Sequence, residues 1–261
     1  MNPEDLKTMA DVIPEKSRNA FFEAPLRSLG YAINGYLNWN FGPLIQMGAV
    51  SDAATKSLAS SIEEKTKNLK EEDFDRTKLG IALKAMNDST YQIENDTLRE
   101  MFANLISNSI NKQKNFDASP LMVNTISSMS PESAEFLSKW HNIFPEKVST
   151  LCSIEKVTMK NEQEIGRAPL LQNIIVLKDL SVYRKEYVID ELRQLGIFEL
   201  HMDGNLTDPA WEKHYEIVEN MASNTIIAVQ NSDDMTENAV AKKGYIRLSP
   251  FGGALLRLLF N

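Results

Sequence analysis

The sequence predicts a mainly α-helical protein, in which a helical N-terminal and central region precedes a C-terminal winged-helix-like α+β domain. Apolar residues recur every three or four positions through the first part of the chain, which is typical of helices that bury one face. Toward the end, helix, strand, turn, strand and closing helix follow in the order of a winged-helix domain. We therefore divide the chain into an N-terminal segment (1–51), a helical core domain (52–150) and a winged-helix-like domain (151–261).

The N-terminal segment contains an uncharged window. Residues 28–50 include no Asp, Glu, Lys, Arg or His, although 25% of the chain is charged. Five apolar residues of this window follow each other at spacings of four, four, four and three, so they would lie along one helical stripe. These residues are Leu29, Ile33, Leu37, Phe41 and Leu44. The window therefore predicts an amphipathic helix.

The window is not a conventional membrane span, because it is rich in side-chain amides and contains Pro43. Amides without partners are expensive in hydrocarbon, and proline disturbs a helix. One interpretation is a helix that is buried in the protein core. The other is a concealed membrane-active element, in which Tyr31, Tyr36 and Trp39 suit the bilayer interface and asparagines pair between several copies. The candidate membrane and oligomer contact residues are Leu29, Ile33, Asn34, Leu37, Asn38, Trp39, Phe41 and Leu44.

The central region contains the clearest helical pattern of the chain. Its apolar residues repeat at i, i+3, i+4, i+7, i+8 and i+12, which predicts a helix that buries a broad stripe. A second helix is predicted to begin at Ser130-Pro131 and to end before Pro145, since serine caps helices and proline suits their first position. The residues of the first pattern are Leu98, Met101, Phe102, Leu105, Ile106 and Ile110.

The last region predicts shorter elements in alternation. A helix over 187–195 is followed by Gly196, because glycine suits the left-handed conformation after a helix C-terminus, and a strand follows at 197–200. The remaining elements are a turn at 203–204, a helix over 209–221, strands at 225–229 and 244–248, and a final helix that begins at Pro250.

The charge of the chain argues against nucleic acid as a partner. The chain has 36 acidic and 28 basic residues, and residues 170–261 alone carry thirteen acidic and nine basic residues. A protein that binds DNA is ordinarily basic at its contact surface, because that surface must approach phosphates. We therefore predict a protein-interaction or packing role for the winged-helix-like domain, and no nucleic-acid partner.

Cysteine usage and the N-terminus indicate the compartment. Cys152 is the single cysteine, so no internal disulfide can form, and residues 1–15 lack the basic head and apolar run of a secretion signal. We expect a cytoplasmic protein, which the membrane interpretation would recruit to the inner membrane.

No residue pattern in the sequence predicts a catalytic, metal or cofactor site. His141, His201 and His214 are far apart, and none is paired at a spacing typical of metal ligands. The sequence also lacks a phosphate-binding glycine loop and a G-x-S-x-G elbow. We predict that the protein is not an enzyme and needs no cofactor. A cryptic enzyme that uses a residue such as Glu199 or His201 is an alternative.

Two stretches carry a resemblance to a known family. The run 97–106 (TLREMFANLI), followed by Ser119-Pro120-Leu121 and by 129–132, resembles the core of the abortive-infection alpha family. The ending IRLSPFG at 246–252 is similar to that family's terminal strand, turn and helix. The resemblance implies a bacterial phage-defence role, in which an infected cell stops growing or dies before phage are released. It implies no catalytic residues.

The interpretations of the window lead to two functional hypotheses. The first is a defence effector that stays soluble until a phage protein triggers it. It would then form a homo-oligomer and act on inner-membrane lipid through residues 28–50, for example as a pore. The alternative is a soluble interaction module that senses or blocks a phage protein through its helical and winged-helix parts.

Overall fold

A computed structural model of the protein describes residues 29–225 and 235–260. Within these residues, nine α-helices and a five-stranded antiparallel sheet form two compact units. The helical unit comprises the described residues up to Pro131 together with 254–260, and the sheet unit comprises Glu132–Gly253. The features predicted for residues 1–28, and the strand predicted at 225–229 from residue 226 onward, lie outside the described residues.

The elements are numbered along the chain. The helices are α1 (Leu29–Gln46), α2 (Asp52–Thr66), α3 (Leu79–Asp88), α4 (Asp96–Ser109), α5 (Pro120–Ser127), α6 (Pro131–Ile143), α7 (Glu186–Gln194), α8 (Glu212–Ser223) and α9 (Pro250–Phe260). The strands are β1 (Val148–Lys160), β2 (Gln163–Val176), β3 (Val182–Tyr183), β4 (Phe198–His201) and β5 (Met235–Leu248).

The helical unit is organised around α4, which contacts α2, α3 and α5. The apolar pattern predicted for this helix is confirmed, because all six of its residues are buried. The helix begins where Asn95 caps it, since the Asn95 side chain accepts a hydrogen bond of 3.0 Å from the backbone N–H of Leu98. Ser51 caps α2 in the same way through the N–H of Ala54, at 3.0 Å. Local caps and apolar periodicity therefore explain where these helices lie.

The sheet unit is built on the order β3-β2-β1-β5-β4, with all neighbours antiparallel. β1 and β2 form a hairpin whose turn residues Asn161 and Glu162 have φ values of 50° and 65°, as in the turns that match the twist of paired strands. β1 also pairs with β5 over its whole length without a register shift. β1 is therefore the central strand of the sheet.

The predicted fold class, mainly α with a C-terminal winged-helix-like α+β domain, is wrong. The sheet begins at Val148 and contains five strands, so it is not confined to a C-terminal winged helix. Two long strands escaped prediction because neither shows the alternation of a half-buried strand. Residues 149–154 of β1 are all buried, whereas most of residues 163–170 of β2 are exposed.

Several elements predicted for the last region are nevertheless present. The helix α7, the strand β4, the helix α8 and the start of α9 match their predicted positions, and Gly196 has the expected left-handed φ of 73°. The predicted strand at 244–248 is the C-terminal end of β5. Near the start of α9, a Cβ at Gly252 would lie 2.2 Å from the carbonyl oxygen of Ile197. This position therefore requires glycine for close packing.

Candidate functional site

The helix α1 is anchored to the helical unit by its apolar stripe. Its 18 residues include no charged side chain, and it packs against α2. Leu29, Ile33, Leu37 and Phe41 are at most 2% exposed, so the stripe predicted from the sequence is the buried face of the helix. Burial of one large apolar side chain is worth about 1.5–3 kcal/mol. Four such side chains hold α1 in place.

The opposite side of α1 is an uncharged surface that faces solvent. We call Tyr31, Gly35, Asn38 and Trp39 the outer face, because their spacing of four, seven and eight residues from Tyr31 places them on one side of the helix. Tyr31 is 84% exposed and Trp39 is 39% exposed. A Cβ at Gly35 would meet no other atom within 4 Å. The outer face therefore presents two aromatic rings and one amide without any charge.

The eight predicted membrane and oligomer contact residues do not share one surface. Four of them form the buried stripe of α1, Asn34 and Leu44 are half-buried, and Asn38 and Trp39 belong to the outer face. The core interpretation of the window accounts for the buried stripe. Contact of any of these residues with lipid or with a second copy stays a prediction. In the described part of the chain, no helix is long and apolar enough to cross a membrane.

Polar contacts fix the orientation of α1. The amide Nδ2 of Asn40 donates a hydrogen bond of 3.2 Å to Oδ1 of Asn87 in α3. Tyr36 is buried between these elements, and burial is the main cause that raises the pKa of its hydroxyl. Near the start of the helix, a Cβ at Gly30 would lie 3.5 Å from the side chain of Glu63 in α2. The start and the middle of α1 therefore contact the rest of the helical unit.

The helix that carries the TLREMFANLI run contains two asparagines whose role the sequence did not reveal. Asn104 Nδ2 donates to the carbonyl of Leu259 at 2.7 Å, and Asn108 Nδ2 donates to the carbonyl of Leu258 at 2.8 Å. Both carbonyls lie in the last turn of α9, where they have no partner within their own helix. A spacing of four residues places the two amides on one side of α4, which is the one feature that could have predicted a joint role. These two asparagines of α4 therefore bind the last turn of α9.

Three titratable side chains of the sheet unit, Cys152, His201 and His214, lie in different environments. Burial raises the pKa of the Cys152 thiol to about 12, so this thiol is protonated near neutral pH and is a poor nucleophile. His214 lies beside Trp211, with ring centroids 5.2 Å apart, and burial lowers its pKa. His201 instead stacks on Tyr245 at 4.6 Å. Among residues 29–225 and 235–260, no group of three or more His, Cys, Asp or Glu is placed to hold a metal ion.

A cleft in the sheet unit is lined in part by aromatic side chains. It has a volume of about 170 Å³ and lies between α6 and the segment that follows β2. Phe136 in its lining stacks on Tyr183 with ring centroids 4.3 Å apart. The charged residues around it are Glu132, Glu135, Lys139 and Lys185. Because two carboxylates and two ammonium groups balance each other, the cleft does not favour an anion or a cation.

The protein therefore has a helical unit, an antiparallel sheet unit and an uncharged, exposed outer face on the helix α1. The sequence matches the family model for abortive infection alpha over residues 50–259. This match covers most of the chain, so the protein belongs to the abortive infection alpha family, as the resemblance predicted. Membership indicates a role in abortive infection, a form of phage defence. Comparison with curated proteins and with solved structures gave no match.

Proposed function

We propose that this chain is a non-enzymatic abortive-infection protein that works as an interaction module, and that the outer face of α1 binds a phage protein. The observation that carries this proposal is an uncharged, aromatic helix face on a helix whose other side is buried in the core. The residues matched by the family begin at position 50, after α1, so the family by itself says nothing about this helix.

The chemistry of the outer face suits a protein contact. The centres of protein interfaces are depleted in charge and enriched in aromatic side chains. Tyr31 and Trp39 offer such side chains, and covering them removes no charge from water. Because the buried stripe already fixes α1, binding would cost little additional ordering of the helix.

The burial of Cys152 and His214 in the sheet unit supports a non-enzymatic role. A nucleophilic cysteine needs a lowered pKa, whereas burial raises that of Cys152. A general acid or base needs access to a substrate, whereas His214 is buried. The proposed activity therefore depends on binding.

A second candidate function is action on the inner membrane. It is favoured by the same outer face, because tyrosine and tryptophan are the side chains that suit a membrane interface. Deeper insertion would also need Leu29, Ile33, Leu37 and Phe41, and these residues are buried against the helical unit. Membrane action by insertion therefore requires α1 to separate from α2.

A disulfide between α1 and α2 distinguishes the two functions. A Cβ at position 30 would lie 3.5 Å from Cγ of Glu63, so positions 30 and 63 are neighbours at which Gly30→Cys and Glu63→Cys are designed to form a disulfide, which loss of free thiols on oxidation verifies. The purified double variant would be added, oxidised or reduced, to dye-loaded liposomes of inner-membrane lipid, with and without lysate of phage-infected cells. Its reduced form is the matched control, since both forms have the same sequence.

Membrane action by insertion predicts that dye escapes with the reduced protein and not with the oxidised protein. The interaction module predicts no dye release from either form. Release from the reduced form alone would show that the interaction proposal is wrong, whereas intact liposomes in every arm would exclude membrane insertion.

Substitution on the outer face tests the proposed contact directly. We expect Tyr31→Lys to lose protection of bacteria against phage, measured as plating efficiency, because a charge is introduced into the contact surface. Tyr91→Lys is the matched control, since Tyr91 is also an exposed tyrosine of the helical unit. Both variants should unfold at the temperature of the wild type. Full protection by Tyr31→Lys would contradict the proposal. Leu37→Asp is a poor probe, because a buried charge would unfold α1.

A further inference from the structure

The sheet has an outer strand that is covered over part of its length. β5 pairs with β1 from end to end, but β4 pairs with β5 only from Tyr245 to Leu248. On the side opposite β1, residues 237–243 have no strand partner within the described chain. Alternate residues of an antiparallel strand direct both N–H and C=O to the same side, so some of these groups face outward. We call residues 237–243 the open edge, and such an edge is a template for another strand.

The outer side of β2 is less suited to pairing than the open edge. It contains Pro169, which has no N–H to donate, and the ladder between β1 and β2 has three register shifts. The ladder between β1 and β5 has none over its 13 residue pairs. Prolines and irregular strands discourage the addition of a strand, whereas a regular edge permits it. The open edge of β5 is therefore the better place for another strand.

The open edge is complementary to itself in one antiparallel register. With Val240 of one copy opposite Val240 of another, Glu237 lies opposite Lys243, and Asn238 lies opposite Lys242. Opposite residues project to the same face of a sheet, so each Glu237 carboxylate would lie beside a Lys243 ammonium group of the other copy. The remaining pair joins Ala239 to Ala241, whose small side chains allow close approach. No like charges meet in this register.

The contacts within one chain agree with this register. Val240, at its centre, is 41% exposed and would be covered by the same residue of the other copy. Glu237 already forms an ion pair of 2.8 Å with Lys156, and Lys243 forms one of 2.8 Å with Glu219. The contacts between copies would extend these two pairs into networks.

We propose that a second copy of this chain binds the open edge of β5, in an antiparallel strand pair centred on Val240. The two sheets then join into one continuous sheet with two-fold symmetry. This inference concerns the sheet unit and does not rest on the proposed role of α1.

Cross-linking through introduced cysteines tests the register. Val240→Cys treated with a short bis-maleimide should yield a covalent dimer, because the two thiols face each other. Ile165→Cys is the matched control, since Ile165 is an exposed apolar residue of β2 and should yield only monomer. Cys152 is buried and is present in both variants. Asn238→Cys mixed with Lys242→Cys should also cross-link, whereas each of these alone should not.

Either of two results would overturn the proposal. The first is that Val240→Cys cross-links no more than Ile165→Cys. The second is that Asn238→Cys alone cross-links as well as Val240→Cys, which would place the strand pair in another register.

Charge reversal provides an independent test in the full-length chain by sedimentation equilibrium. We expect dimers of the wild type, monomers of Glu237→Lys at the same concentration, and dimers again when Glu237→Lys is combined with Lys243→Glu. The double variant restores opposite charges between copies but not the ion pairs within one chain, so rescue would not follow from a merely structural role. Monomeric wild type, or dimers unaffected by Glu237→Lys, would contradict the proposal.

Discussion

The helical unit and the sheet unit differ at several of their buried positions. In the helical unit, side-chain amides and hydroxyls bind backbone carbonyls. Asn108 donates to Leu258 at 2.8 Å, and the buried hydroxyl of Thr66 donates to Ile62 at 2.8 Å. Such bonds satisfy carbonyls and hydroxyls that would otherwise be buried alone.

In the sheet unit, the buried hydroxyl of Tyr215 also donates to the carbonyl of Gly244, at 2.8 Å, and two glycines pack closely against backbone. Gly252 lies against the carbonyl oxygen of Ile197, and a Cβ at Gly244 would lie 2.5 Å from that of His201. By contrast, a Cβ at Gly80 in the helical unit would meet no atom within 4 Å. The hydroxyls of three buried residues of β1 have no hydrogen-bond partner among the described residues; they are Ser149, Thr150 and Ser153. We therefore expect the sheet unit to be sensitive to added volume and the helical unit to lost hydrogen bonds.

The largest expected effect is that of Gly252→Ala. A methyl group 2.2 Å from the Ile197 carbonyl oxygen must displace backbone, so we expect the free energy of unfolding to fall by about 3 kcal/mol. Chemical denaturation measures this loss. Gly253→Ala is the control, because its Cβ would meet nothing within 4 Å, and we expect a change within about 1 kcal/mol. Equal effects of the two substitutions would show that the close contact of Gly252 with Ile197 does not cause the loss.

A smaller loss is expected for Asn108→Ala in the helical unit. Removal of the amide leaves the Leu258 carbonyl without this donor, which should lower the free energy of unfolding by about 1–3 kcal/mol. The same denaturation experiment on Asn220→Ala, at an exposed position of α8, should show little change. If the two variants were equally stable, the importance of amide hydrogen bonds in the helical unit would be disproved.

The burial of His214 predicts a dependence of stability on pH. Burial lowers the pKa of this side chain in the folded protein below its ordinary value of 6.5, so the unfolded chain binds a proton more readily. The contribution of His214 should therefore be present above pH 6.5 and be lost as the pH falls below it toward the lowered pKa. Thermal unfolding of the wild type and of His214→Gln across this range measures it. The variant should be less sensitive to acid, and identical profiles would rule out this role.

The smallest effects are expected from a matched pair of threonines. Thr66→Val removes a hydroxyl that donates a hydrogen bond and should lower the free energy of unfolding by about 1 kcal/mol. Thr150→Val removes a hydroxyl without a partner, so its stability should be equal to or above that of the wild type. Thermal unfolding of both variants measures these changes. A lower stability of Thr150→Val than of Thr66→Val would contradict the comparison.

The helical elements could be predicted because their information is local. The apolar stripes of α1 and α4 recur at the helical period, and Ser51 stands at the start of α2 as a capping residue should. The run at 97–106, together with 119–121, 129–132 and 246–252, predicted the family. None of these inferences depends on contacts between residues that are distant in the sequence.

The strands β1 and β2 were missed because they lack local periodicity. β1 is buried on consecutive residues at its start, and β2 is exposed over most of its first half, so neither alternates. β1 also pairs with β5, through residues as far apart as Val148 and Arg247, which the sequence does not link. For the candidate contact residues, the sequence predicted the stripe of α1 but not which of its sides is covered.

The sequence alone predicted an uncharged amphipathic helix within residues 28–50, because helical periodicity is a property of neighbouring residues, and the structure places this helix at Leu29–Gln46. Contacts between distant segments bury Leu37 and leave Tyr31 at the surface, and they bring Asn104 to a carbonyl 155 residues away. The same kind of contact leaves β5 with an open edge. These outcomes depend on which distant segments pack together, and burial and pairing are set by those contacts and not by local pattern.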